Sequence, residues 1–197
     1  MAELLTLAST SPQRRAILEQ LAIPFRVVAP HYVEDDPVDA DPVQLVRAHA
    51  AGKAHSVHTA GQVTLGVDTT VHVGGRTLGK AADREEARAM LAELAGATHV
   101  VVSGLALLGE GFEEIVHATT RVTFAELGEA EIAAYVTTGE WEGRAGAYAI
   151  QGLGARLVAG VAGDYLNVVG LPAAALVQLL RSHAPDLLEG KTLHMQG

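Results

Sequence analysis

Four cationic side chains, Arg14, Arg15, Lys53 and Lys80, two carboxylates, Glu34 and Asp68, and one amide, Gln151, stand in settings that allow chemistry. Singly, each has an ordinary reading: a lysine on a helix is a solvated charge, and a glutamine in a loop is a loop residue. Together they suit a phosphorylated small molecule, with the cations on its phosphates and the carboxylates holding Mg²⁺. A triphosphate carries about four negative charges, so a cleft that takes one needs several cations and a metal ion.

The arginines lie in Leu7-Ala8-Ser9-Thr10-Ser11-Pro12-Gln13-Arg14-Arg15. Leu4, Leu5 and Leu7 form the apolar run of a buried strand, and Ile17, Leu18 and Leu21 follow at helical spacing. Ser11 offers a capping oxygen and Pro12 suits the first helical position, so the stretch reads strand, tight turn, helix. A helix start of this kind, with free N–H groups, hydroxyls and arginines, is a seat for phosphate.

The other elements follow in order. Phe25, Val27 and Val28 predict a second strand leading into an acidic loop, Glu34-Asp35-Asp36 with Asp39 and Asp41, one carboxylate of which can turn inward. Asp41-Pro42 starts a helix that runs to about Val57 and carries Lys53. Its histidines, His49, His55 and His58, lack a nearby carboxylate motif and read as surface residues rather than metal ligands. Val63, Leu65 and Val67 alternate with Thr64 and Gly66, a strand that delivers Asp68 at its C-terminal end. Val71 and Val73 continue as a strand, Gly74-Gly75 turns it, and Thr77 to Lys80 returns. Gly74 to Lys80 mimics the start of a phosphate-binding P-loop, but Ala81 replaces the required hydroxyl, and Asp83 with Glu86 caps the following helix instead. That helix runs through Ala87, Met90, Leu91 and Leu94 to Gly96. Val100 to Leu108 and a partner strand through Val116 to Phe124 flank the turn Gly109-Glu110-Gly111, and a short helix spans Ala130 to Val136. Gly143 to Gly154 is glycine-rich and predicts a loop whose backbone approaches a ligand closely. Leu157 to Val161 and Tyr165 to Val169 read as a hairpin about Gly163-Asp164, Pro172 opens a last amphipathic helix, and the tail after Pro185 reads as loosely held.

Bulk properties narrow the class. A chain of 197 residues can bury a sizeable core as one domain spanning 1–197 with two lobes. Its net charge of −9 disfavours nucleic acid and anionic membrane as partners. No apolar run reaches membrane-spanning length, and the absence of cysteine is compatible with a cytoplasmic protein. Alternating strands and helices followed by strand pairs predict a mixed α/β fold: a mixed central β-sheet flanked by helices, bent into two lobes around a cleft.

The opening signature Leu7 to Arg14 resembles that of the Maf family, bacterial nucleoside triphosphate pyrophosphatases first linked to septum formation. The likeness recurs, in order, at Ala50 to Lys53, Gly66 to Val71, Leu78-Gly79-Lys80, Leu94 to His99, Gly146 to Gly154 and Val168 to Pro172. The resemblance implies an α/β nucleotide-binding fold and a homodimer. It implies hydrolysis of a nucleoside triphosphate to monophosphate and pyrophosphate with a divalent metal cation, Mg or Mn. Carried over by position, it implies Asp68 as the acid that activates water or helps hold the metal, with Glu34 near the metal. Ser9, Arg14, Lys53 and Lys80 are implied as phosphate-binding residues, and Gln13, Thr69 and Gln151 as positions that select the base. Ile150-Gln151-Gly152 resembles the branch that prefers dTTP and UTP.

Two departures stand out. The family usually shows Ser-Pro-Arg-Arg where this chain has Ser11-Pro12-Gln13-Arg14, and Arg15, about 100° round a helix, does not replace the missing arginine. Ala81 stands where a proline normally follows the lysine. The alternatives are a house-cleaning pyrophosphatase of broad base preference, and a nucleotide-binding regulator of septation without turnover.

Overall fold

A computed structural model describes residues 4–35 and 40–189. Asp36 and Asp39 of the acidic loop lie outside the described residues, as does the chain from 190 onward. One mixed sheet of seven strands organises the molecule, in the order β2-β1-β3-β5-β6-β7, with β4 pairing with β3. Its strands are β1 (Leu5–Ala8), β2 (Phe25–Val28), β3 (Thr64–Val73), β4 (Arg76–Leu78), β5 (Thr98–Gly109), β6 (Phe112–Phe124) and β7 (Val158–Ala162). The helices are α1 (Pro12–Gln20), α2 (Pro42–His55), α3 (Arg84–Leu94), α4 (Glu129–Thr137), α5 (Tyr165–Val169) and α6 (Ala173–His183). Strand β1 runs parallel to both β2 and β3, and the remaining pairs are antiparallel.

The strand expected to end at Asp68 instead continues: β3 is one strand of ten residues, with Asp68 in its middle. One edge of β3 is covered by β5 from Thr64 to His72. The other edge changes partner. Its pairing with β1 ends at Gly66, opposite Ala8, and its pairing with β4 begins at Val71, opposite Leu78. Between them no described strand pairs with this edge, which is open at residues 67–70. The packing divides at the same place. Leu65 and Val67 belong to a core with α1 and α6, whereas Val71 and Val73 belong to a core with α3 and α4. This seam is the physical form of the two expected lobes.

On the other face α2 lies against β3 and β5 through small residues, Ala50 and Ala54 meeting Ala106. Asp41 caps this helix by accepting from the Gln44 N–H at 2.9 Å, and Pro42 occupies its first turn. Asp83 caps α3 as expected, but Glu86 completes the turn by accepting from Ala82 N rather than from the cap residue.

Three expectations need correction. Ser11 makes no side-chain cap on α1; its hydroxyl donates to Gln13 Oε1 at 3.0 Å, while Ser9 Oγ accepts the Ser11 N–H at 3.2 Å. Tyr165 to Val169 is helix α5, not the second arm of a hairpin. Asp164 caps it, accepting from Leu166 N and Asn167 N, and that local satisfaction outweighs the strand preference of Tyr165, Val168 and Val169. Beyond Pro185 the chain forms a 3-10 turn to Leu187, whose side chain is fully buried against the α6 core, so the described part of the tail is anchored.

Candidate functional site

The open edge of β3 forms the floor of a cavity of about 610 Å³. Successive strand residues point to opposite faces, so Asp68 faces α2 and Thr69 faces the other side, toward α1. Helix α2 brings Lys53 to Asp68: the ammonium lies 2.5 Å from Asp68 Oδ1 and 2.6 Å from Glu34 Oε1. Glu34 is the inward-turning carboxylate of the acidic loop. Lys53 is 8% exposed, which a lysine tolerates here because both carboxylates partner it.

Arg14 reaches the floor from the other side. Its Nη1 donates to Ser9 Oγ at 3.0 Å, its Nε to the Gly170 carbonyl at 3.0 Å, and its Nη2 to Thr69 Oγ1 at 3.3 Å. Burial pulls the Arg14 pKa below its ordinary value, opposed by the negative charges of Asp68 and Glu34. Thr69 Oγ1 also pairs with Ser103 Oγ at 2.8 Å, so Thr69 props Arg14 as well as lining the cavity. Ser9 is buried and acts on the cavity through Arg14 and the Ser11 N–H rather than by lining it. Gln13, Lys80 and Gln151 all line it, alongside Arg14, Glu34, Lys53, Asp68 and Thr69. Arg15 is exposed and does not line it.

The glycine-rich segment forms the far wall. Ala145 bridges Lys80, and the Gly146 N–H donates to the Gly79 carbonyl at 3.0 Å. A Cβ on Gly146 would press on Val71 at 3.0–3.2 Å, and its φ of +69° also favours glycine. The Gln151 loop is held from behind. The Ala149 N–H donates to Tyr135 Oη at 2.9 Å, and Glu140 accepts from Leu153 N and Gly154 N at 3.0 and 3.2 Å. Burial pushes the Tyr135 hydroxyl up to about 12. Tyr148, missed by the sequence reading, lines the cavity while its hydroxyl pairs with His99 Nε2 at 2.8 Å.

His99 is fully buried among Phe124 and Tyr148, with Nδ1 unpartnered among the described residues. A buried lone pair costs less than a buried unpaired N–H, which favours the tautomer donating from Nε2 to Tyr148. Burial holds the imidazole at about 4, below its ordinary 6.5. Between these values the unfolded chain binds the extra proton, so stability falls as pH falls through that window. We expect this group to remove ~2 kcal/mol of stability between pH 7 and pH 5. Urea denaturation of wild type and His99→Phe at both pH values checks it; equal losses in the two proteins would refute the assignment.

The helical histidines have separate partners. His49, expected at the surface, is buried, with Nδ1 3.0 Å from Tyr32 Oη. His55 pairs with Glu113 and His58 with Thr64. No described helix is long and apolar enough to cross a membrane.

A mixed α/β sheet whose central strand opens onto a cavity lined by cationic side chains, with two carboxylates bridged by a lysine, is the setting of the candidate site. Comparison with known proteins makes this specific. The model of Maf-like proteins matches residues 4–183, and the chain belongs to the Maf family. It is 46% identical over 189 residues to a dTTP/UTP pyrophosphatase of Symbiobacterium thermophilum, covering 94% of this chain and 97% of that protein. It is 48% identical to one from Myxococcus xanthus, over 90% and 91% of the two chains. It is 47% identical to one from Nitratidesulfovibrio vulgaris, over 88% and 85%.

Proposed function

We propose that this chain hydrolyses a nucleoside triphosphate between the α and β phosphates, releasing monophosphate and pyrophosphate, with dTTP and UTP as its substrates. The observation that carries this reading is the Lys53 ammonium held between Asp68 and Glu34 beside Arg14, on the floor of a cleft large enough for a nucleotide. The relatives' activity, as named, supports the same chemistry.

The donor set fits a divalent cation. Among the described residues no group of three or more His, Asp or Glu could hold a metal unaided. Mg²⁺ and Mn²⁺, however, take one or two protein carboxylates and complete their shell with phosphate oxygens and water, which is what Glu34 and Asp68 offer. When bound, the cation would polarise the phosphoryl oxygens and offset their charge. In this reading Asp68 orients a water against the α-phosphorus and accepts its proton as the bond to the bridging β-oxygen breaks. Arg14, steadied by Ser9, and Lys53 hold the phosphates, and Lys80 faces the departing diphosphate. Gln13, Thr69 and Gln151 line the space for the base. The same reading makes the whole chain one domain and the protein a homodimer.

Pyrophosphate release from dTTP, UTP, CTP, the purine triphosphates and 7-methyl-GTP, with Mg²⁺ and then Mn²⁺, tests it. We expect dTTP and UTP to lead in kcat/KM by about tenfold or more. Gln13, tied to the Ser11 hydroxyl, is then a tolerated replacement for the family's arginine. A flat profile would assign a broad pyrophosphatase, and no pyrophosphate from any nucleotide would overturn the reading.

A further inference from the structure

The charges around the cleft are not evenly spread. Among the described residues, five cationic and two acidic side chains line it, in a chain whose net charge is −9. Both acidic groups converge on Lys53, and Arg76 at the rim pairs with Glu93 at 2.9 Å. Arg14 spends three of its N–H groups on Ser9, Thr69 and Gly170. Lys80 and Arg144 remain, and no described carboxylate pairs with either. Main-chain bonds hold the two together: Ala145 bridges Lys80, and Gly146 N donates to the Gly79 carbonyl at 3.0 Å. Arg144 is itself fixed at both its backbone groups, its N–H donating to the Trp141 carbonyl at 3.1 Å and its own carbonyl accepting from Ala147 at 3.2 Å.

A second observation singles out Arg144. Its Nε is buried and has no hydrogen-bond partner among the described residues. Nε is closed off from solvent, so a ligand entering the cleft would meet the other donors of this guanidinium, whose charge no described carboxylate offsets. A neutral base edge would leave the charge of Arg144 uncompensated. A phosphate group satisfies both the charge and the planar fork of donors.

The geometry points to Arg144 as a substrate-binding residue that, with Lys80, grips the terminal diphosphate of the triphosphate, the part that leaves as pyrophosphate. This inference rests on the pyrophosphatase reading and adds a specific contact to it. Negative charge grows on the leaving oxygens as the bond to the α-phosphorus breaks, so the contact strengthens toward the transition state and serves kcat as well as KM.

The test is calorimetric binding of inorganic pyrophosphate and of dTMP, each with Mg²⁺, to wild type, Arg144→Gln and Arg144→Lys, with melting curves to confirm folding. We expect Arg144→Gln to bind pyrophosphate roughly 10- to 100-fold more weakly while dTMP binding is unchanged. Arg144→Lys, which keeps the charge but loses the fork, should fall between. The KM for dTTP should rise in the same order. Unchanged pyrophosphate binding in Arg144→Gln, equal weakening of pyrophosphate and dTMP, or no binding of pyrophosphate to wild type would each overturn the inference. Binding needs no turnover, so the two readings separate. A wild type that binds pyrophosphate through Arg144 yet hydrolyses nothing would remove the hydrolase and leave this contact standing.

Discussion

Replacing Asp68 by asparagine is expected to leave the fold intact and to lower turnover by roughly 10²–10⁴-fold, about 3–5 kcal/mol in the barrier. The fold should hold because Lys53 keeps Glu34, 2.6 Å away, so no buried ammonium is stranded. Asparagine has the shape of aspartate and still accepts a hydrogen bond from Lys53, but it takes no proton from water. The size of the loss alone does not separate a base from a metal ligand, so the measurement is kcat against metal concentration. If Asp68 acts as the base, the deficit persists at saturating Mg²⁺ and is not repaired by Mn²⁺. If it chiefly holds the cation, the half-saturating metal concentration rises and high metal restores most of the rate. A folded Asp68→Asn enzyme with near wild-type turnover at ordinary Mg²⁺ would remove Asp68 from the chemistry.

The parts of this site that local sequence chemistry encodes were readable from it. Pro12 after an apolar run marks the start of α1, Asp41-Pro42 marks the start of α2, and each places a cation, Arg14 or Lys53, on a helix facing the sheet. The seam was not readable. It exists because β3 loses β1 at Gly66 and gains β4 at Val71, and a change of partner along one edge is a matter of long-range register that no window of residues contains. That is why Asp68 looks like the end of a strand in the sequence and is the middle of one in the fold: the ending belongs to its neighbour. Helix α5 departs from its sequence pattern for a related reason, since Asp164 caps it while its own residues favour strands. Arg144 sits in a segment whose glycines predict only that its backbone approaches a ligand. Its distinguishing property, a buried Nε without a partner among the described residues, appears only once the chain is folded.

Gly66→Ala and Gly104→Ala are expected to destabilise the protein by about 3 kcal/mol or more, lowering the melting temperature by roughly 6–12 °C. Helix α2 approaches the sheet so closely at these positions that its backbone, not its side chains, occupies the space. A Cβ on Gly66 would overlap the Ala50 carbonyl oxygen and lie 2.8 and 2.9 Å from Ala54 N and Cβ. One on Gly104 would overlap the Val46 carbonyl and lie 2.8 Å from Arg47 N. These neighbours are held in the hydrogen bonds of the helix and cannot rotate away, so the whole helix must lift. Lys53 rides on that helix, one turn beyond Ala50, and meets Asp68 two residues along β3 from Gly66. A shift of about 1 Å there should cost roughly 10²-fold in kcat. The control is Gly160→Ala on β7, where an added Cβ meets nothing within 4 Å. It should stay within about 0.5 kcal/mol of wild type. Thermal melts and turnover of the folded variants at low temperature read both effects. Wild-type melting of Gly66→Ala would mean that α2 is not seated on glycine. Destabilisation with full turnover would mean that the helix yields without carrying Lys53 away from Asp68. The expected result, loss of both together, makes the two glycines part of the active site's construction although neither lines the cleft.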